Sequence, residues 1–88
     1  MSKQIRVKRV QTGVRIEKRM LKVLKGLAEY LEMSLGDLLE GIVLHSFEGQ
    51  SPFVASTRGK IDELKAVYEM DYGAEASHRM LDEEDVAG

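Results

Sequence analysis

The chain has 88 residues, enough for one small domain with a tail, and its lack of cysteine excludes a disulfide framework, a thiol nucleophile and a Cys-based zinc site. A hydrophobic content of 43 % excludes wholesale disorder, and no apolar run reaches the roughly 18–20 residues of a membrane span. The formal net charge of −2 hides a partition: residues 1–26 hold nine Lys/Arg and one acid, Glu17, whereas residues 27–88 hold four basic and fourteen acidic residues. Such a separation implies a basic surface for a polyanion and an acidic remainder. The opening MSKQIRVKRV has no secretory apolar core, so a cytoplasmic protein is expected.

Residues 5–17, IRVKRVQTGVRIE, alternate apolar and polar side chains, as a strand does. The alternation changes register at Lys8–Arg9. This separates a basic arm, residues 1–9, from one short strand over Val10–Glu17. On that strand Val10, Thr12, Val14 and Ile16 share one face, and Gln11, Gly13, Arg15 and Glu17 the other.

The period then becomes helical. Met20, Leu21, Val23, Leu24, Leu27, Ala28 and Leu31 recur at spacings of three and four, which predicts a helix over residues 18–32. Lys18, Arg19, Lys22 and Lys25 crowd its first half, the reverse of the order a helix dipole prefers. Ser34, with Asp37 three residues on, reads as the cap of a second helix. Its apolar stripe is Leu35, Leu38, Leu39, Ile42, Val43 and Phe47, and Gly49 ends it. Gln50–Ala55, with the sole proline Pro52, reads as a linker. Ser56 or Thr57 then caps a third helix running to about Tyr72, with Ile61, Leu64, Val67 and Tyr68 on one face and Gly73 as its stop. A short helical turn over Ala76–Leu81 and a frayed acidic run, Asp82–Asp85, complete the chain.

A lone strand leaves its ladder hydrogen bonds unmade, and two helices with uncovered apolar stripes cannot be satisfied by one chain. A second copy resolves both. The expected fold is therefore mainly α with one short strand: an intertwined homodimer with a two-stranded antiparallel ribbon, helices beneath it, and a C-terminal helical extension. Val10, Val14 and Ile16 would enter the shared core. A two-stranded ribbon fits the major groove of duplex DNA. Arg15 suits guanine, Gln11 suits adenine, and Gly13 permits close backbone approach. Glu17 would repel phosphate unless paired with Arg19. The unpaired N–H groups of Leu35, Gly36 and Asp37 suit one phosphate.

The strand QTGVRIE, the LKGLAEYL run of the first helix and MS-x-x-D-LL at the second resemble the ribbon-helix-helix superfamily of bacterial DNA-binding repressors. The likeness covers about Val10–Glu48. It implies an obligate homodimer that reads double-stranded DNA and regulates transcription as a repressor. By position, it places base-contacting residues at Gln11, Gly13 and Arg15, and a phosphate-anchoring helix start at Ser34, Leu35 and Gly36. Lys18, Arg19 and Lys22 are further candidates for phosphate contact. The domain plan is then a basic arm (1–9), a ribbon-helix-helix domain (10–49), and a linker with an acidic accessory extension (50–88). A chain cut after Gln50 would still dimerise on this plan, unless Ile61, Leu64, Val67 and Tyr68 complete the core.

His45 and His78 stand 33 positions apart with no cysteine nearby, so no metal site is expected. No nucleophile–base pair or glycine-rich phosphate loop appears, so neither an enzyme nor a cofactor is expected. The alternative reading is an antitoxin-like interaction module, whose extension grips a partner protein and whose DNA binding is weak or absent.

Overall fold

The computed structural model describes residues 3–83. Among them are α1 (Lys18–Tyr30), α2 (Leu35–Phe47), α3 (Ala55–Val67) and a 3-10 turn at Ala74–Ala76. Met1 and Ser2 of the basic arm, and Glu84 and Asp85 of the acidic run, lie outside the described residues.

All three helices end in the same way. In α2 the Gln50 N–H donates to the His45 carbonyl and the Gly49 N–H to the Ser46 carbonyl, with Gly49 at φ +71°. This is a Schellman ending with glycine in the left-handed position. In α1 the Met33 and Glu32 N–H groups donate to Ala28 and Glu29, and in α3 those of Met70 and Glu69 donate to Lys65 and Ala66. Both of these turns use glutamate at positive φ, 56° at Glu32 and 56° at Glu69. The sequence places the end of α3 at about Tyr72, with Gly73 as its stop; the left-handed turn at Glu69 ends it five residues sooner, at Val67. At its start, α3 has Val54 as N-cap with no side-chain cap, in place of Ser56 or Thr57. The expected turn over Ala76–Leu81 shrinks to Ala74–Ala76.

α1 is the central element, with α2 and α3 both packed on it. Its apolar face buries Val23, Leu27 and Ala28, and Leu27 and Ala28 meet Leu38 of α2. Leu24, Leu31, Ile42, Phe53, Ile61 and Leu64 pack around that centre. α3 comes close at Gly26, where a Cβ would stand 3.0 Å from Leu64 Cδ2. The core is thin. Only Val23, Leu27, Ala28 and Leu38 are fully buried among the described residues.

The expected strand and ribbon are not present. Residues 3–17 form neither helix nor strand, and the fold is helical throughout its regular elements. The physical reason lies in the chain itself. A ladder needs a second strand, and the remaining apolar runs follow the helical period instead. Val10 and Val14, expected in the core, are 76 % and 75 % exposed. The backbone of this segment is left to water.

Candidate nucleic-acid interface

Lys18, Lys22 and Lys25 stand at i, i+4 and i+7 on α1, which places them on one stripe of the helix, opposite Val23 and Leu27. All three are exposed. The irregular segment before α1 carries Lys3, Arg6, Lys8, Arg9 and Arg15, all exposed as well. Amphipathic packing of α1 thus turns its cationic half outward, continuous in sequence with a cationic arm.

Glu17 joins the two. Its carboxylate caps α1, accepting from the Arg19 N–H at 3.1 Å and the Met20 N–H at 3.2 Å. It also accepts from Arg19 Nε at 3.2 Å and from the Tyr72 hydroxyl at 2.5 Å. The Tyr72 hydrogen bond, then those from Arg19 and Met20, hold the Glu17 carboxyl down at about 2. Partial burial and the same hydrogen bond push the Tyr72 hydroxyl up to about 12. A carboxylate fixed at the N-terminus supplies the negative charge that the first turn of α1 otherwise lacks. Glu17 is paired with Arg19, the partner the sequence offers for neutralising it. Its capping role was not read from the sequence, although an acid directly before a helical period is a usable signal for one.

The candidate base-contacting residues occupy different settings. Gln11 and Gly13 are exposed, and a Cβ added at Gly13 would meet nothing within 4 Å. Nothing in the chain itself requires glycine there. Arg15 Nη2 pairs with Asp82 Oδ2 at 2.6 Å. Among the candidate phosphate contacts, Arg19 donates from Nη1 to Asp71 Oδ1 and to the Glu69 carbonyl, each at 3.1 Å. Its guanidinium also lies 5.4 Å from the Tyr72 ring centre. Lys22 Nζ stands 5.7 Å from the ring centre of Tyr68. The structure thus brings Arg15, Arg19 and Lys22 together against the segment that follows α3.

At the start of α2, Ser34 Oγ accepts from the Asp37 N–H at 3.1 Å, as the Ser-x-x-Asp spacing predicts. Leu35 is half-buried and Gly36 exposed. Arg9 reaches this end of α2 and binds Glu40 in a two-pronged pair, at 2.9 and 2.8 Å, with Asp37 at 4.0 Å. The hydrogen bond from Arg9 lowers the Glu40 carboxyl below its ordinary value, and the same bond raises Arg9. The arm therefore supplies a cation where two acids would otherwise face an approaching phosphate. This contact spans 31 positions and had no local signal in the sequence.

His45 Nδ1 lies 2.7 Å from the Gly41 carbonyl, an ordinary helical side-chain hydrogen bond. An apolar groove of about 580 Å³ runs beside α1, with Met20, Val23, Leu27, Ile42, Phe53 and Met80 on its walls. Among the described residues, no helix is long and apolar enough to cross a membrane. No family model, curated protein or solved structure matches the chain.

Proposed function

We propose that the chain binds double-stranded DNA in the cytoplasm and regulates transcription, with no catalytic role. The observation that carries this reading is the outward cationic surface of residues 1–26, where nine basic residues stand against one acid in a chain of net charge −2. Lys18, Lys22 and Lys25 form its ordered stripe, and the arm extends it. Contacts of this kind give affinity through displaced counterions and make it steeply salt-dependent. Arg15 and Gln11 supply donor and acceptor groups suited to base edges, while Lys18, Arg19 and Lys22 supply phosphate contacts.

A homodimer is part of the same reading. It is supported by the thin core, by the apolar groove beside α1, and by large exposed side chains such as Val10, Val14, Leu44 and Phe47. Small chains of this kind commonly complete their cores with a second copy. The antitoxin-like alternative draws less support. Of the apolar face it needs on the extension, Ile61 and Leu64 are spent on the packing of α3 against the chain's own core, and of the other two, Val67 is exposed and Tyr68 half-buried.

The test is fluorescence anisotropy with a labelled pool of random-sequence duplexes, titrated across a range of salt. Binding should weaken with salt along a log–log slope of about −5 to −7, as roughly 6–8 phosphate contacts per dimer would give. Absence of binding at low salt would overturn the reading. Sedimentation at micromolar concentration checks the dimer, and a folded monomer there would remove it.

A further inference from the structure

Three of the candidate DNA-contacting cations, Arg15, Arg19 and Lys22, are in contact with the chain's own C-terminal segment. Asp82 pairs with Arg15, Asp71 with Arg19, and the Tyr72 and Tyr68 rings lie beside Arg19 and Lys22. We propose that residues 68–82 form an autoinhibitory cover over Arg15, Arg19 and Lys22, at the edge of the cationic surface, and that duplex DNA must displace it. This inference rests on the DNA-binding reading above and adds a regulatory contact to it.

Three observations support a cover that can be released. First, the outer contact is open to solvent. Arg15 is 86 % exposed and Asp82 69 % exposed even while paired, so the pair sits where a phosphate would arrive. Second, the segment is held by surface polar contacts and by shallow packing, with Met70 and Tyr72 half-buried along the apolar groove beside α1. It contains no fully buried residue, its only regular structure is the turn Ala74–Ala76, and Leu81 is 96 % exposed. Surface ion pairs of this type are weak and screened by salt. Third, the fastening is graded. The inner end is held by the Tyr72–Glu17 hydrogen bond and by Arg19 on both Asp71 and the Glu69 carbonyl. The outer end is held by the Asp82–Arg15 pair. The outer end can open while the inner end keeps the segment on α1. Phosphates compete for the same guanidinium groups that the two aspartates occupy, and they present the same two-oxygen chemistry.

The test measures duplex affinity of the full-length chain by anisotropy at low salt, with the same random-sequence pool. Wild type is compared with Asp71→Asn/Asp82→Asn, and with Asp62→Asn/Glu48→Gln as a control. The control removes the same charge from two exposed acids that pair with no cation among the described residues. The cover variant should bind roughly threefold to tenfold more tightly than wild type, and the control by less than about twofold. Its salt slope should also steepen by about one per freed cation, since no internal pair is re-exposed to counterions on binding. Thermal melts establish that both variants are folded. Equal affinities and slopes for the cover variant and the control, both binding, would overturn the cover while leaving DNA binding intact. Absence of duplex binding by every variant would overturn both.

Discussion

The Tyr72 hydroxyl donates to Glu17 Oε1 across 2.5 Å, joining residues 55 positions apart. Because that carboxylate also caps α1, one hydrogen bond ties the start of the first helix to the segment beyond the third. Tyr72→Phe keeps the ring beside Arg19 and removes only the hydroxyl. It should lower stability by about 1–2 kcal/mol, at the low end for a bond to a charged group because the site is partly solvated. It should also raise the Glu17 midpoint from about 2 toward the ordinary carboxylate range, read by NMR titration of the side-chain carboxyl. An unmoved midpoint would remove Tyr72 as the cause.

The same pair sets two pH limits. Glu17 has a folded-state value near 2 against an ordinary 4.5, so its contribution is full above about pH 4.5 and is lost as pH falls toward 2. Tyr72 has a folded-state value near 12 against 10, so its contribution is full below about pH 10 and is lost as pH rises toward 12. Melting temperature should therefore fall at both ends. The acid loss should be smaller in Glu17→Gln, measured by thermal denaturation across pH.

Glu32 and Glu69 hold left-handed backbone at the ends of α1 and α3, where glycine would be unstrained. At a helix C-terminus their negative charge also opposes the dipole. Glu32→Gly and Glu69→Gly should each stabilise the fold by about 0.5–1 kcal/mol, a rise of a few degrees in melting temperature. The Arg19 contact at residue 69 uses the backbone carbonyl and survives the change.

These two glutamates also mark where sequence reading stopped short. The Ser34 cap and the Gly49 stop were legible because each has a local chemical signature, and the start of α1 because the apolar period changes there. The ends of α1 and α3 were not, because glutamate has no preference for the left-handed conformation and adopts it here as part of a Schellman turn. The Val10–Glu17 alternation was read as a strand, but alternation only permits a strand. Without a ladder partner in the chain the segment stays irregular. In the candidate site, the cationic residue types and their spacing on α1 were legible. The pairing of Arg15 with Asp82 and of Arg19 with Asp71 was not, because it joins residues brought together only by the packing of α3 on α1.

On the DNA-binding reading, Arg15 and Lys22 should differ in kind. Arg15 has the planar fork that reads a guanine edge, so Arg15→Ala should cost roughly 1–3 kcal/mol per half-site on a selected sequence and little on others. Lys22 presents a point charge from the exposed stripe of α1, so Lys22→Ala should weaken all sequences alike and flatten the salt slope by about one per site. Selection from a random pool followed by competition binding measures both. Unchanged discrimination in Arg15→Ala would exclude that residue from base reading.

The packing of α3 decides what truncation does. The sequence predicts that a chain ending at Gln50 still dimerises, with completion of the core by Ile61, Leu64, Val67 and Tyr68 as the competing outcome; of these Ile61 and Leu64 reach the core, whereas Val67 is exposed. Ile61 and Leu64 pack against the centre formed by Leu27, Ala28 and Leu38, and Leu64 sits directly over Gly26. Removing residues 51–88 strips that cover from α1, and with it Phe53 and the Tyr72 contact to Glu17. The truncated chain should aggregate or melt well below the full-length protein. Leu64→Ala in the intact chain should reproduce part of the loss, about 2–3 kcal/mol, the lower part of the range for a half-buried leucine. Leu27→Ala, at 2 % exposure, should cost more, up to about 5 kcal/mol. Chemical denaturation of the two point variants, followed by circular dichroism, orders these costs. A truncated chain with an unchanged melting temperature, or a Leu64→Ala variant as stable as the parent, would show that α3 contributes nothing to the core.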